Sequence, residues 1–134
     1  MYLNYLEENE KVAFLKIAHI VALSDGHFCE NEKIIIGSYC NEMEMNDIEL
    51  NIQNDSIDIL SNEFRNEQSK KIVILELMSI IHANGEFKES EKEIIKQLTK
   101  IFSINDKYIE DVKLWSQMLM NIIEEGENLI QVVE

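Results

Sequence analysis

The chain has 134 residues, 46% of them apolar, which is enough to bury a hydrophobic core as one domain. It contains no proline and only four glycines, a composition that favours helices over strands and tight turns. The formal net charge of −14 excludes direct binding to nucleic-acid phosphates and anionic lipid headgroups, because like charges repel. Such a surface attracts basic proteins and cations, although acidity also serves simply to keep a small protein soluble.

The apolar pattern predicts helices along the whole chain and indicates no strand. The predicted helices cover about residues 6–24, 30–43, 56–64, 67–83, 89–102 and 106–123, with a further short helix after Gly126. Asn105 or Asp106 is the expected cap of the last long helix. A short helix and a polar loop are expected between residues 44 and 56.

A segment of about thirty residues occurs twice, 59 positions apart. Residues 25–36 align without a gap on residues 84–95, and seven of the twelve positions are identical. An apolar helical stretch precedes each copy. The sequence therefore predicts a single all-α domain of about seven helices, built from two related helix–loop–helix units at about residues 12–45 and 71–104. Any special chemistry is expected at the two loops.

Each loop has a structural interpretation that needs no ligand. Glu32 and Glu91 lie three residues after the predicted helix N-caps, where a capping-box glutamate accepts the free backbone N–H of the cap residue. Glu30 and Glu89, in the first helical turn, favour the positive end of the helix dipole. Gly26 suits the left-handed conformation that ends many helices.

Asp25 fits this structural interpretation poorly. A carboxylate at a helix C-terminus faces the negative end of the dipole, which costs roughly 0.3–1 kcal/mol. A cation at the loop would remove that conflict, and carboxylate oxygens favour Ca²⁺ or Mg²⁺. The candidate metal ligands are Asp25, Glu30 and Glu32 in the first loop and Asn84, Glu89 and Glu91 in the second.

Two other kinds of metal site are conceivable at these loops. An EF-hand is excluded, because the positions that must supply its first oxygen ligands are Val21 and Leu23. His27 and Cys29 offer zinc ligands in the first loop. The second loop has Glu86 and Lys88 at those positions, so the sequence favours Ca²⁺ or Mg²⁺ over Zn²⁺.

Two short motifs resemble those of a known family. In each, an apolar helix followed by Asp-Gly or Asn-Gly, a short loop and a helix opening with Glu resemble the motif of the TerB-like proteins of tellurite resistance and stress response. Residues 22–28 with Glu32 match the first copy of that motif, and residues 82–87 with Glu91 match the second. Asn84 stands where the family pattern has Asp, and residues 102–104 lack the Leu-Gly that commonly ends the second unit.

The resemblance implies a compact, cytoplasmic domain of about seven helices with an acidic surface at the loops. That surface would bind a divalent cation or dock into membrane-associated stress complexes. Carried over by position, its acidic centres would be Asp25, Glu32 and Glu91.

Several remaining features bear on function. The sequence has no catalytic serine elbow, phosphate-binding glycine loop or HExxH motif, so it predicts no enzyme. His19 and His82 lie on apolar helices and are expected to be core or boundary residues. Trp115, with Leu114 and Met118 beside it, gives the last helix a broad apolar face. Core packing is the first interpretation of that face, and a partner-binding groove or dimer interface is the alternative.

The predicted function is a non-enzymatic TerB-like module that acts through protein contacts, with a candidate cation site at the acidic loop. A scaffold or dimerisation domain, in which the loop carboxylates only cap helices, is the first alternative. The second is an accessory subunit of an enzyme. No apolar stretch of about 18 residues and no signal sequence occur, so the sequence predicts a cytoplasmic protein without membrane insertion.

Overall fold

The computed structural model describes residues 1–26, 28–49, 54–83 and 88–132, and within them the fold is all-helical with no strand, as the sequence predicts. A 3-10 turn at Leu3–Tyr5 precedes six α-helices. These are α1 (Glu8–Leu23), α2 (Glu30–Met43), α3 (Ile57–Ser61), α4 (Glu67–Ala83), α5 (Glu89–Phe102) and α6 (Asp106–Leu129).

The helix boundaries follow the sequence repeat closely. Helices α1 and α4 begin 59 positions apart, and α2 and α5 both begin and end 59 positions apart. The residues after α2 and α5, Glu44 and Ser103, have left-handed φ angles of 54° and 57°. In each case the next residue donates its backbone N–H to a carbonyl near the helix end, which closes the last turn in the same way. We call α1 and α2 unit 1, and α4 and α5 unit 2.

Helices α1 and α4 pack against each other at the centre of the hydrophobic core. Helix α1 also contacts α2, α3 and α5, whereas α4 also contacts α2, α5 and α6. The two central helices supply most of the fully buried large side chains, including Phe14, Leu15, Ile17, Ile74, Leu77, Ile80 and Ile81. Near the end of α1, Val21 and Ala22 are also buried.

Two predicted elements differ from the structure. Helix α6 continues through Gly126 to Leu129, so the prediction of a separate helix after Gly126 is wrong. A glycine in a helix costs about 1 kcal/mol but keeps its backbone hydrogen bonds, and here no left-handed residue ends the helix. Helix α3 begins at its Ser56 cap as predicted but ends at Ser61. Residues 45–49 are not helical, and residues 50–53 of the predicted middle segment lie outside the described residues.

The N-terminal segment is held by two glutamates that the sequence did not single out. The amino group of Met1 lies 2.8 Å from Glu76 Oε1 and 2.9 Å from Glu42 Oε1. The same two side chains accept the backbone N–H groups of Tyr2 and Leu3. Glu76 is only 3% exposed on an otherwise apolar face of α4, so the N-terminal segment satisfies a carboxylate that would otherwise be buried alone.

Candidate functional site

The loop of unit 1 and the start of α5, the second helix of unit 2, lie side by side. Ser24, after the last turn of α1, has its Oγ 3.1 Å from Ser90 Oγ in the first turn of α5. Gly26 has a φ of +83°, the left-handed conformation expected of it, and its N–H donates to the Leu23 carbonyl. This turn directs Asp25 towards α5, so polar side chains of both units lie close together.

Glu32 and Glu91 both cap the helices that contain them. Glu32 Oε1 accepts the backbone N–H of Cys29 at 3.0 Å, and Glu91 Oε1 accepts that of Lys88 at 3.0 Å. Both glutamates are buried, which keeps water from competing for the hydrogen bond. The capping-box interpretation of these two residues is confirmed. Helix α1 begins in the same way, with Glu10 accepting the N–H of Glu7 at 2.8 Å.

Lys88 supplies a positive charge at the position where the sequence suggested a metal ion. Its ammonium group forms an ion pair with Asp25 across the two units, and both side chains are partly buried. The hydrogen bond with Asp25 raises the pKa of Lys88 above its ordinary value, although partial burial opposes the rise. The charge of Asp25 and the nearby carboxylates of Glu91 and Glu32 raise that pKa further. The carboxylate at the end of α1 is thus neutralised by the chain itself.

The charges of Asp25 and Glu32 affect the pKa of Glu91, the third acidic centre. Burial raises the pKa of Glu91, while the backbone hydrogen bond and the positive charge of Lys88 lower it. Glu32 and Asp25 raise it again by repulsion. Asp25, Glu32 and Glu91 therefore form one electrostatic cluster around Lys88, which we call the loop cluster.

Two of the other predicted ligands, Glu30 and Glu89, are not brought into the loop cluster. The side chains of Glu30 and Glu89 are 83% and 84% exposed, and each lies 3.4 Å from a lysine one turn along its own helix. Asn84 lies outside the described residues. Within the described ranges, no group of three or more His, Cys, Asp or Glu side chains is arranged to hold a metal ion.

The described histidines and cysteines differ in their surroundings. His19 Nε2 lies 2.8 Å from Asp47 Oδ1, and its ring packs edge-on against Phe28. Cys40 is buried, as predicted, and Cys29 is partly exposed at the N-cap of α2. His27, the other residue of the suggested zinc site, lies outside the described residues.

His82 lies at the last turn of α4 and is partly buried. Burial lowers its pKa, and its Nδ1 has no hydrogen-bond partner among the described residues. The expectation of a boundary histidine on an apolar helix fits this environment.

Helix α6 has a packed half and an exposed half. Val112 and Ser116 are buried, the Tyr108 hydroxyl donates to the Lys71 carbonyl at 2.9 Å, and the Trp115 ring lies 6.4 Å from that of Tyr2. From Met120 to Val132, every residue is exposed. We call residues 120–130 the distal segment.

Helix α6 exposes large apolar side chains in both of its halves. Leu114, Met118 and Met120 are exposed, so the core-packing prediction holds only for the inner side of this helix. The distal segment adds four more exposed apolar side chains, Ile122, Ile123, Leu129 and Ile130. Helix α6 has 24 residues, about 36 Å, and its neighbour α4 has 17, about 26 Å. The last ten residues of α6, residues 120–129, are all exposed.

None of the described helices combines the length and the apolar content needed to cross a membrane. In comparisons with protein-family models, curated proteins and solved structures, nothing matched the chain.

Proposed function

We propose that this protein is a non-enzymatic binding module whose repeated loops are structural and whose distal segment of α6 contacts a partner protein. One observation carries the proposal: about three helical turns of α6 extend from the fold with large apolar side chains exposed to water. Ile122 is 61% exposed and Leu129 is 85% exposed. Adjacent exposed apolar side chains on a helix favour association, because burying them in an interface removes apolar area from water.

The loop cluster supports a structural role for the loops. Glu32 and Glu91 each use a carboxylate oxygen to cap a helix, and Lys88 neutralises Asp25. A divalent cation would have to compete with an ammonium group that is already in place. This favours the first alternative drawn from the sequence, a scaffold in which the loop carboxylates act as helix caps.

For the cellular role we propose the cytoplasmic stress response that the TerB-like resemblance implies. Two observations support this. The helix–loop–helix units lie in register, and Asp25, after the end of α1, forms an ion pair with Lys88, at the start of α5. In this view the module would dock into a larger complex through α6.

Position-specific crosslinking in the source cells tests the binding role. A photoreactive amino acid replaces Ile122 or Leu129, and Gln117 on the opposite, polar side of α6 serves as the matched control. We expect one adduct of defined mass at both apolar positions and none at Gln117. The adduct at Leu129 should disappear when Ile122→Asp is added. Identical adducts at all three positions, or none at any, would reject the proposal.

Thermal unfolding tests the metal prediction independently. Metal-stripped protein is heated with Ca²⁺, Mg²⁺, Mn²⁺ or Zn²⁺ and compared with Asp25→Asn. A ligand at a hundred times its dissociation constant adds about 2.7 kcal/mol, so a specific ion would raise the melting temperature clearly. We expect the parent and the variant to respond equally to every ion. An ion that stabilises only the parent would restore the metal site as the leading function of the loops.

A further inference from the structure

The distal segment of α6 differs in charge from the rest of the chain. Between residues 114 and 132 there is no lysine or arginine, although the whole protein has 12. The segment carries three carboxylates, Glu124, Glu125 and Glu127, all exposed. Elsewhere on α6, Lys107 and Lys113 pair with acidic residues one turn away. The distal carboxylates thus occur in a stretch that contains no basic residue.

Two of these carboxylates, those of Glu125 and Glu127, lie on opposite sides of an apolar stripe, and that of Glu124 lies on the far face of the helix. At about 100° per residue, Ile122 and Leu129 fall on one edge of the stripe, with Ile123 towards the other. Viewed down the helix axis, Glu125 lies about 40° from Leu129 on the side away from the stripe. Glu127 lies about 40° from Ile123, beyond the other edge. Ile130 falls between the two edges. The distal segment thus presents an apolar strip bordered by negative charge on each side.

We propose that the partner is an amphipathic helix whose apolar stripe is flanked by lysine or arginine. This inference rests on the proposed binding role of α6 and adds the chemistry of its partner. The partner's apolar side chains would cover Ile122, Ile123 and Leu129, and its basic side chains would pair with the bordering carboxylates. The net charge of −14 would speed the encounter with a basic segment.

Charge also distinguishes this partner from other occupants of the stripe. A second copy of the chain brings the same three distal carboxylates and another net charge of −14, so pairing of two distal segments is opposed by repulsion. An anionic lipid surface is opposed for the same reason. A basic amphipathic helix can both cover the apolar strip and pair its basic side chains with the bordering carboxylates.

A synthetic peptide tests this chemistry directly. The probe is a helical peptide of about 21 residues with a Leu/Ile stripe flanked by lysines, and the control has every lysine replaced by glutamate. Trp115 is the only tryptophan and lies where the packed half of α6 meets the exposed half, so its emission reports binding. We expect saturable binding of the basic peptide, at least about tenfold weaker binding of the acidic one, and weakening as salt rises from about 0.05 to 0.5 M.

Matched variants of the protein assign the binding to the distal segment. Changing Glu124, Glu125 and Glu127 together to Gln should weaken peptide binding about tenfold and remove most of its salt dependence. The control carries the same change in net charge at three exposed glutamates away from α6, namely Glu8, Glu44 and Glu49, and should bind like the parent. Ile122→Ser with Leu129→Ser should abolish binding of the peptide while circular dichroism shows the helical content retained.

Three results would overturn the proposal. The first is equal affinity for the basic and acidic peptides. The second is equal weakening by the two triple-glutamine variants, which would indicate bulk charge alone. The third is a concentration-dependent dimer that is lost in the Ile122→Ser, Leu129→Ser variant, which would make a second copy the occupant. Crosslinks at Ile122 without peptide binding would leave the binding role intact and reject only the basic partner.

Discussion

The two units of this fold share one register but differ at the positions where they touch other parts of the molecule. Glu32 and Glu91 cap their helices in the same way, and Ile36 and Ile95 are buried at equivalent core positions. Lys88, by contrast, has Cys29 as its counterpart, and it is Lys88 that reaches across to Asp25. The repeated residues build each unit, and the residues that differ join the units together.

The N-terminal segment gives a second instance of this rule. Glu76 in α4 is equivalent to Ile17 in α1, and Glu42 in α2 is equivalent to Ile101 in α5. Both glutamates bind backbone groups of the N-terminal segment. The replaced positions therefore mark contacts that only one of the two units makes.

The shared core gives the largest expected effect. Ile36→Ala and Ile95→Ala should each lower the free energy of unfolding by about 2–5 kcal/mol, because each removes buried methyl groups and leaves a cavity. Urea unfolding followed by circular dichroism measures both. Exposed Ile34, on the outer face of α2, is the control, and its alanine variant should stay within about 0.5 kcal/mol of the parent. A large loss at Ile36 with none at Ile95 would show that the units do not depend equally on one core.

The shared caps should give the next largest effect. Glu32→Ala and Glu91→Ala each remove the hydrogen bond to the N-cap N–H, and each should lower the free energy of unfolding by about 0.5–2 kcal/mol. The glutamine variants keep an acceptor oxygen and should lose less. Hydrogen exchange should show faster exchange of the Cys29 and Lys88 amides in the matching alanine variant only. If alanine and glutamine lose the same amount, the hydrogen bond is not what stabilises these helix starts.

The pH dependence of Glu91 separates charge from hydrogen bonding. Its pKa in the folded chain lies above the ordinary value, so the folded state binds this proton more tightly than the unfolded state does. The stabilisation linked to it is complete below about pH 4.5 and is lost as the pH rises through the folded pKa. We expect the parent to lose stability relative to Glu91→Gln on going from about pH 4.5 to 7. A difference that is constant with pH, or that moves in favour of the parent, would contradict this.

The contact between the units should give the smallest effect. Lys88→Met should lower the melting temperature more than Asp25→Asn, because loss of the ammonium leaves Asp25, Glu32 and Glu91 repelling one another. Both shifts should be smaller than those of the alanine cap variants. The double variant should lose less than the sum of the single ones, as expected of a direct pair. Strict additivity would mean that the ion pair makes no net contribution. Lys88→Met should also raise the pKa of Glu91, which carboxyl NMR can measure.

The sequence predicts most of this fold because the same helix–loop–helix pattern occurs in it twice, so each copy supports the helix bounds of the other. The apolar periods place α1, α2, α4 and α5 closely, and the spacing of Glu32 and Glu91 predicts their capping hydrogen bonds. The ion pair between Asp25 and Lys88 could not be predicted, since it depends on how the two units pack. The sequence carries one signal of this ion pair. The acidic residue Asp25 has the neutral Asn84 as its counterpart, and the basic residue Lys88 has the neutral Cys29.

Helix α6 shows a second limit of the sequence pattern. The apolar face of Trp115 and Ile122 is continuous, and periodicity does not indicate where the neighbouring helix stops. Only the burial of each residue in the folded chain separates the packed half from the exposed half. The early end of α3 has a similar cause, because local pattern does not fix where a short helix gives way to a turn.

The capping arrangement also bears on how a duplicated motif can diverge. The hydrogen bond at the start of α2 and α5 joins a backbone N–H to a glutamate three residues later, so it makes no demand on the side chain of the cap residue itself. Cysteine occupies that position in one copy and lysine in the other, with the same bond length in both. The cap residue can therefore differ between the two copies, and in unit 2 its lysine makes the contact with Asp25 while both helices keep the same start.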